Sequence, residues 1–198
     1  MQRRDWMIAA AALIVVTPLT ACVAQTPDPI YPVPRYADAP PFRFAVGALD
    51  IVDRDPPTLR PPRVEHLFPV PPSRALRAWA RDAMVPVGGP DHLRFTIERA
   101  DVIETPLRPR DRSLSDAATD QISDRYDATA AVRLEIVDPQ GHAVASARAI
   151  ATRFQTLLES TSPAQRDRIW YDMTRQLMAE LIPELDQEIR AHLATYLR

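Results

Sequence analysis

The sequence predicts an α+β protein: an antiparallel sheet of about four strands, two helices packed on one face, and a long C-terminal helix. Three observations carry that class. Asp138-Pro139-Gln140-Gly141 separates two runs of alternating residues, with aspartate, proline and glycine at the places a type I turn prefers. Apolar residues from Trp170 to Leu193 recur at steps of three or four, the period of a helix with one buried face. Upstream, a strand, a helix and a second strand succeed one another between residues 42 and 104.

The first strand is expected from Phe42 to Val52. Phe42, Phe44 and Val46 share one parity, Leu49 and Ile51 the other, and a bulge at Gly47 would reconcile them. Residues 56–72 hold seven prolines and read as an extended connection whose Leu67, Phe68 and Val70 pack on the edge of the core. Ser73 to Val85 follows as a helix capped by Ser73, with Leu76, Trp79, Ala80, Ala83 and Met84 on one stripe, ended by Pro86 and Gly88-Gly89. Leu93 to Glu104 is the second strand, its alternation ambiguous near Arg99.

The hairpin arms run from Asp127 to Val137 and from His142 to Phe154. Alanines at 143, 145, 147, 149 and 151 give the second arm a face low enough for a helix to lie across it. That helix begins at Pro163, with Ser162 as cap and Gln165 completing a capping box, and extends to Leu197. Pro183 is expected to kink or split it, leaving the second half free to project toward a partner. Trp170 and Tyr171 are assigned to packing.

Composition narrows the function. At 46% hydrophobic and 25% charged residues, with a formal net charge of −2, the chain can bury a core and carries no basic stripe for nucleic acid. Every basic residue other than histidine is arginine, so Schiff-base lysine chemistry is excluded. Cys22 is the only cysteine, so no intramolecular disulfide forms.

The amino terminus explains that cysteine. Arg3 and Arg4 precede an uncharged segment from Trp6 to Thr20, the charged and apolar regions of a secretory signal. Fifteen residues with Pro18 near the end are too few for a membrane span, which needs about 20. A degenerate twin-arginine signal, or cleavage by ordinary signal peptidase, are the alternatives weighed. Leu19-Thr20-Ala21-Cys22 resembles the lipobox of bacterial lipoproteins. The resemblance implies that residues 1–21 are removed, that the Cys22 thiol takes a diacylglycerol, and that the new amino terminus is acylated too. Two or three chains anchor firmly, each buried methylene contributing about 0.8 kcal/mol. In the best-known sorting system an aspartate after the cysteine retains lipoproteins in the inner membrane, so Val23 implies the outer one. Residues 22–41 form a proline-rich linker, expected as an extended spacer of roughly 60 Å or as a recognition motif. Residues 42–198 are the single periplasmic domain.

Motifs for chemistry are sparse. His66, His92, His142 and His192 fall in four separate segments without ligand spacing, so no metal is expected. Nucleophile and phosphate-loop motifs are missing from the sequence, and no cofactor is implied. Asp116, Asp120 and Asp124 recur every four residues but lack the glycine and glutamate of a calcium loop. Arg108, Arg110 and Arg112 make a short basic cluster suited to acidic headgroups. The order of elements over residues 42–182 is similar to that of the YajG-like and transport-auxiliary lipoproteins of bacterial envelopes. That resemblance implies a tethered domain that binds other envelope components; the longer closing helix and the proline-rich 56–72 depart from it. The expectation is therefore a lipid-anchored, non-enzymatic interaction or auxiliary module of an envelope complex. A lipid- or glycan-binding module using the arginine cluster, and a hydrolase with a spatially assembled site, are the rivals.

Overall fold

The computed structural model describes residues 30–36, 40–107 and 122–198. Its elements are β1 (Phe42–Phe44), β2 (Ala48–Asp53), α1 (Pro72–Ala83), β3 (Met84–Pro86), β4 (His92–Pro106), β5 (Ile122–Val137), β6 (Ala143–Leu158) and α2 (Pro163–His192). The class is α+β, with a four-stranded sheet ordered β2-β4-β5-β6 and, among the described residues, two α-helices, of which α2 is the long C-terminal one. Strands β4, β5 and β6 are antiparallel to one another, and β2 lies parallel to β4 at the edge. The reason is the connection: α1 lies between β2 and β4, and a strand returning through a helical crossover comes back in the same direction.

The expected strand from Phe42 to Val52 is two strands, not one strand with a bulge. β1 pairs with β3 in a two-stranded parallel sheet, and β2 pairs with β4. Between them the two chains stay in contact, Gly88 N–H donating to Val46 C=O at 3.0 Å and Gly47 N–H to Asp91 C=O at 2.7 Å. Two glycines make that approach possible. A Cβ on Gly89, where φ is +148°, would lie 2.5 Å from the Ala45 oxygen, and one on Gly47 would lie 2.8 Å from the Gly89 oxygen.

Helix α1 starts earlier and ends sooner than the sequence pattern implies. Pro71 is its N-cap and makes no side-chain cap bond, while Ser73 is buried inside the first turn. Met84 ends the helix by turning extended, since Met84 and Val85 fit a strand as well as a helix and pairing with β1 decides between them. In β4 the register shifts between Ile97 and Arg99, which explains why the alternation blurs there.

The hairpin and its type I-like turn lie where expected, but its arms are longer: β5 starts at Ile122, not Asp127, and β6 runs past Phe154 to Leu158. Gly141 N–H donates to Asp138 C=O at 2.9 Å, and Gly141 has φ +89°. The Asp138 carboxylate accepts from the His142 amide at 2.8 Å, a bond that holds its pKa below the ordinary value. Helix α2 lies against β6 as the alanine face requires: Ala147, Ala149 and Ala151 are buried. Both bonds of the Ser162–Gln165 capping box are formed. Pro183 sits inside one continuous helix instead of splitting it. Nor does the second half project: Leu185, Ile189 and Leu193 are fully buried, on the stripe that Trp170, Met173, Leu177 and Leu181 begin. Each such leucine contributes about 2 kcal/mol by leaving water. Beyond α2 the chain turns back onto β1, Ala45 N–H donating to Tyr196 C=O at 2.7 Å.

The connection of residues 54–71 takes the place a strand would occupy beside the second half of β4. Val64 N–H donates to Val102 C=O at 2.9 Å, and Glu104 N–H to Pro62 C=O at 2.9 Å. Phe68 and Val70 are buried as expected, whereas Leu67 is 54% exposed. An ionic knot holds this cover down. Glu65, fully buried, accepts from Arg63 Nε at 2.9 Å and from the Val102 amide at 3.3 Å. Arg63 also forks onto Asp55, which in turn accepts from the Ala100 amide. Burial alone would raise the Asp55 pKa, but the Arg63 fork and that amide outweigh it and leave the carboxyl below its ordinary value.

Candidate functional site

Three features of the surface are candidates for function. The first is where the chain enters the domain. Residues 30–36 are extended, as their prolines require, but they lie strapped along the helices. The Tyr31 and Tyr171 rings pack with centroids 5.1 Å apart, Tyr171 Oη donates to Pro32 C=O at 3.0 Å, and the Tyr36 amide donates to Asp82 at 3.0 Å. Val33 and Tyr36 pack on the core. Burial, together with Tyr171 and Asp82 and against the opposing Arg175, pushes the Tyr36 phenol up to about 12. Tyr171 is therefore a clamp on the incoming chain, while Trp170 is packed as expected between Phe68, stacked at 4.8 Å, and the edge of Tyr126 at 5.5 Å. Thr174 Oγ1 adds a buried bond to Val70 C=O at 2.9 Å, tying α2 to the connection.

The second feature is a cleft of about 380 Å³ where the strap, α1 and α2 meet. Phe42, Trp79, Ala83, Ile182 and Pro183 line it, with the Asp186–Arg190 ion pair at 2.9 Å. Its polar groups are the Tyr36 phenol, which has no hydrogen-bond partner among the described residues, and the Asp186–Arg190 pair.

The third is the outer face and free edge of the sheet. Period-two alternation sends one parity of each strand into the core and the other outward. Charges on the outer face neutralise one another: Glu98 accepts from Arg133 and Arg148, both at 2.7 Å, Arg99 binds Asp101, and Arg125 forks onto Asp127. Desolvation would raise the Glu98 pKa, and its two arginines lower it further than that. The outward residues of β6 are different in kind. Ile150, Phe154 and Leu158 are 44%, 60% and 44% exposed, and Ile122, paired with Leu158, extends the stripe onto β5. Arg125 lies over the Phe154 ring at 4.4 Å, and a depression of about 280 Å³ lies beside it. β6 ends the strand order, so among the described residues its sixteen-residue outer edge has no partner strand. The strand holds no proline, glycine or acidic residue, and its two charges, Arg148 and Arg153, are paired with Glu98 and Glu180.

Several expected residues fall elsewhere. Cys22, Val23 and the cluster Arg108, Arg110 and Arg112 lie outside the described residues, as do Asp116 and Asp120. Asp124 lies in β5 and accepts from the Ser123 hydroxyl. The histidines stay apart: His142 faces Asp138 and His192 faces Glu188, both at 3.4 Å, His92 is exposed, and His66 is half-buried within the 54–71 connection itself. Among the described residues no three His, Cys, Asp or Glu side chains gather to hold a metal ion. No helix among them is long and apolar enough to cross a membrane.

The strap and the β6 stripe escaped the sequence reading, though a signal existed for the stripe. Alanines on one parity of β6 mark the helix side, and the bulky Ile150, Phe154 and Leu158 on the other parity mark what that side leaves outside. No protein-family model matches the chain, and no curated protein matches it in sequence.

Proposed function

We propose that this protein is a lipid-anchored, non-enzymatic module of the cell envelope, exported by residues 1–21 and held to the periplasmic side of the membrane through acylated Cys22. It serves as an auxiliary or assembly factor for an envelope complex, with Val23 favouring the outer membrane. The single observation that carries the reading is the β6 edge, unpaired among the described residues, with its apolar stripe, a surface suited to receive a strand from another chain. The strap supports it. Residues 30–36 are already packed on the domain a short way beyond Cys22, so on this reading the domain works close to the bilayer.

Photo-crosslinking residues placed at Ile150 and Phe154, and for contrast at Ala191 on α2, test the surface in intact envelopes. Adducts at the two edge positions and none at Ala191 are expected; equal or absent yields would defeat the assignment. Mass measurement of Cys22 tests the anchor, and a free thiol in protein released without detergent would remove it.

A further inference from the structure

Resting on the reading of Cys22 as the anchor, we propose that the end of the fold where the strap enters lies on the bilayer, with Ile30, Leu107, Ile122 and Leu158 set among the lipid headgroups and upper acyl chains. The occupant of this surface is the membrane itself, not a protein.

Hydrogen bonds and strand register gather the four residues at one end. Ile122 is the register partner of Leu158, and the Leu107 amide donates to Ser123 C=O at 2.9 Å, so all three close the same end of the sheet. The turn after β6 leads directly into α2, Thr161 N–H donating to Leu158 C=O at 3.1 Å. Tyr31 Oη donates to Ala164 C=O in the first turn of α2 at 3.5 Å, which puts Ile30 at that end too. Ile30 is 90% exposed, Ile122 48%, and Leu107 and Leu158 44% each. Single apolar residues on a surface need no explanation, but four large ones that the fold brings to the mouth of its own tether do. The opposite end carries the turn of residues 138–141, Asp91 and His142, and among the described residues its exposed large apolar side chains are Val87 and Val144.

Reach decides which end faces the lipid. Ile30 is the eighth residue beyond Cys22, and eight residues at about 3.6 Å each span at most about 29 Å however they fold. β6 runs from one end of the sheet to the other, its sixteen residues covering roughly 50 Å at about 3.3 Å each. While the strap stays bound, turning the far end to the membrane would carry Ile30 further from the lipid than the chain can reach. Charge sets the depth. Glu159 and Arg166 stand beside Leu158 and the start of α2, so this end meets the interface at headgroup level and does not enter the hydrocarbon. Ile150 lies eight residues along the strand from Leu158, roughly 26 Å away, so this orientation leaves the partner-binding part of the β6 edge clear of the lipid.

The test uses the full chain purified from membranes. Acylated Cys22 has no free thiol, so Leu158→Cys, Ile122→Cys and, at the far end, Val144→Cys each offer one thiol to an environment-sensitive dye, and wild type should take none. The labelled proteins are placed in phosphatidylcholine vesicles with and without a lipid carrying a nitroxide near the top of its acyl chain. Emission from positions 158 and 122 is expected to shift to the blue and to be quenched by the nitroxide, while position 144 shows neither change. Adding Leu107→Glu and Ile122→Glu to the Leu158→Cys protein is expected to abolish the quenching with circular dichroism unchanged; quenching that persists would assign the contact to the dye and overturn the proposal. Equal quenching at both ends, or none at 158 and 122, overturns the contact while an unlabelled wild type leaves the anchor standing. A blue shift at 158 without quenching gives that end to a second copy and overturns it as well. If wild type takes the dye at Cys22, the anchor has failed and the membrane contact falls with it.

Discussion

Loosening the strap is the perturbation with the clearest functional meaning. Tyr171→Ala removes the ring that packs on Tyr31 and the hydroxyl that donates to Pro32. An aromatic pair contributes about 0.5–1.5 kcal/mol beyond its buried area, and a hydrogen bond about 0.5–1.5 kcal/mol net. Together they predict that the strap opens about 2 kcal/mol more easily, roughly a thirtyfold rise in its open population. Arg35 is exposed and lies in the strap, so trypsin reads that population directly. Cleavage after Arg35 requires the extended segment to leave the helices, and its rate is expected to rise by that factor under conditions where reclosing outpaces cutting. The global unfolding midpoint should move little, because the α2 core stripe from Trp170 to Leu193 is untouched. Equal Arg35 cleavage in variant and wild type would refute the account of the strap as a clamped segment.

Arg63→Met strips the buried Glu65 of its cation and is expected to cost about 3 kcal/mol or more in urea unfolding, with Arg63→Met/Glu65→Leu recovering part of it; a loss under about 1 kcal/mol would show the knot is dispensable. Asp55 and Glu98 have pKa values depressed in the folded state, so the unfolded chain takes up protons first as pH falls. Their stabilisation is complete above the ordinary values of 3.8 and 4.5 and is lost as pH drops through the lower folded values, which urea midpoints from pH 6 down to about pH 2 would reveal as a falling curve. Ala149→Leu, under α2, overpacks the helix–sheet contact and should cost about 1–3 kcal/mol in the same assay, whereas Ile150→Leu on the outer face should be near neutral; equal effects would contradict the assignment of faces.

Local chemistry made some elements legible in the sequence. The DPQG turn, the Ser162–Gln165 box and the stripe from Trp170 to Leu193 each need only residues near in sequence, and each is formed as read. The alanine parity of β6 announced α2, because a helix can approach a sheet closely only over small side chains. Boundaries that rest on partners were not legible. Met84 and Val85 suit both periods, and only pairing with β1 makes them a strand.

By itself, then, the sequence determined the hairpin turn, the start of the closing helix and the faces that α2 and β6 bury, because periodicity and turn chemistry are properties of short stretches. Tertiary structure decided the rest. The parallel edge follows from the crossover through α1, the clamped strap from Tyr31 meeting Tyr171 across 140 positions, and the β6 edge, unpaired among the described residues, from which strand ends the order. Each depends on which distant segments become neighbours, and that is settled only when one core must bury all the apolar faces at once.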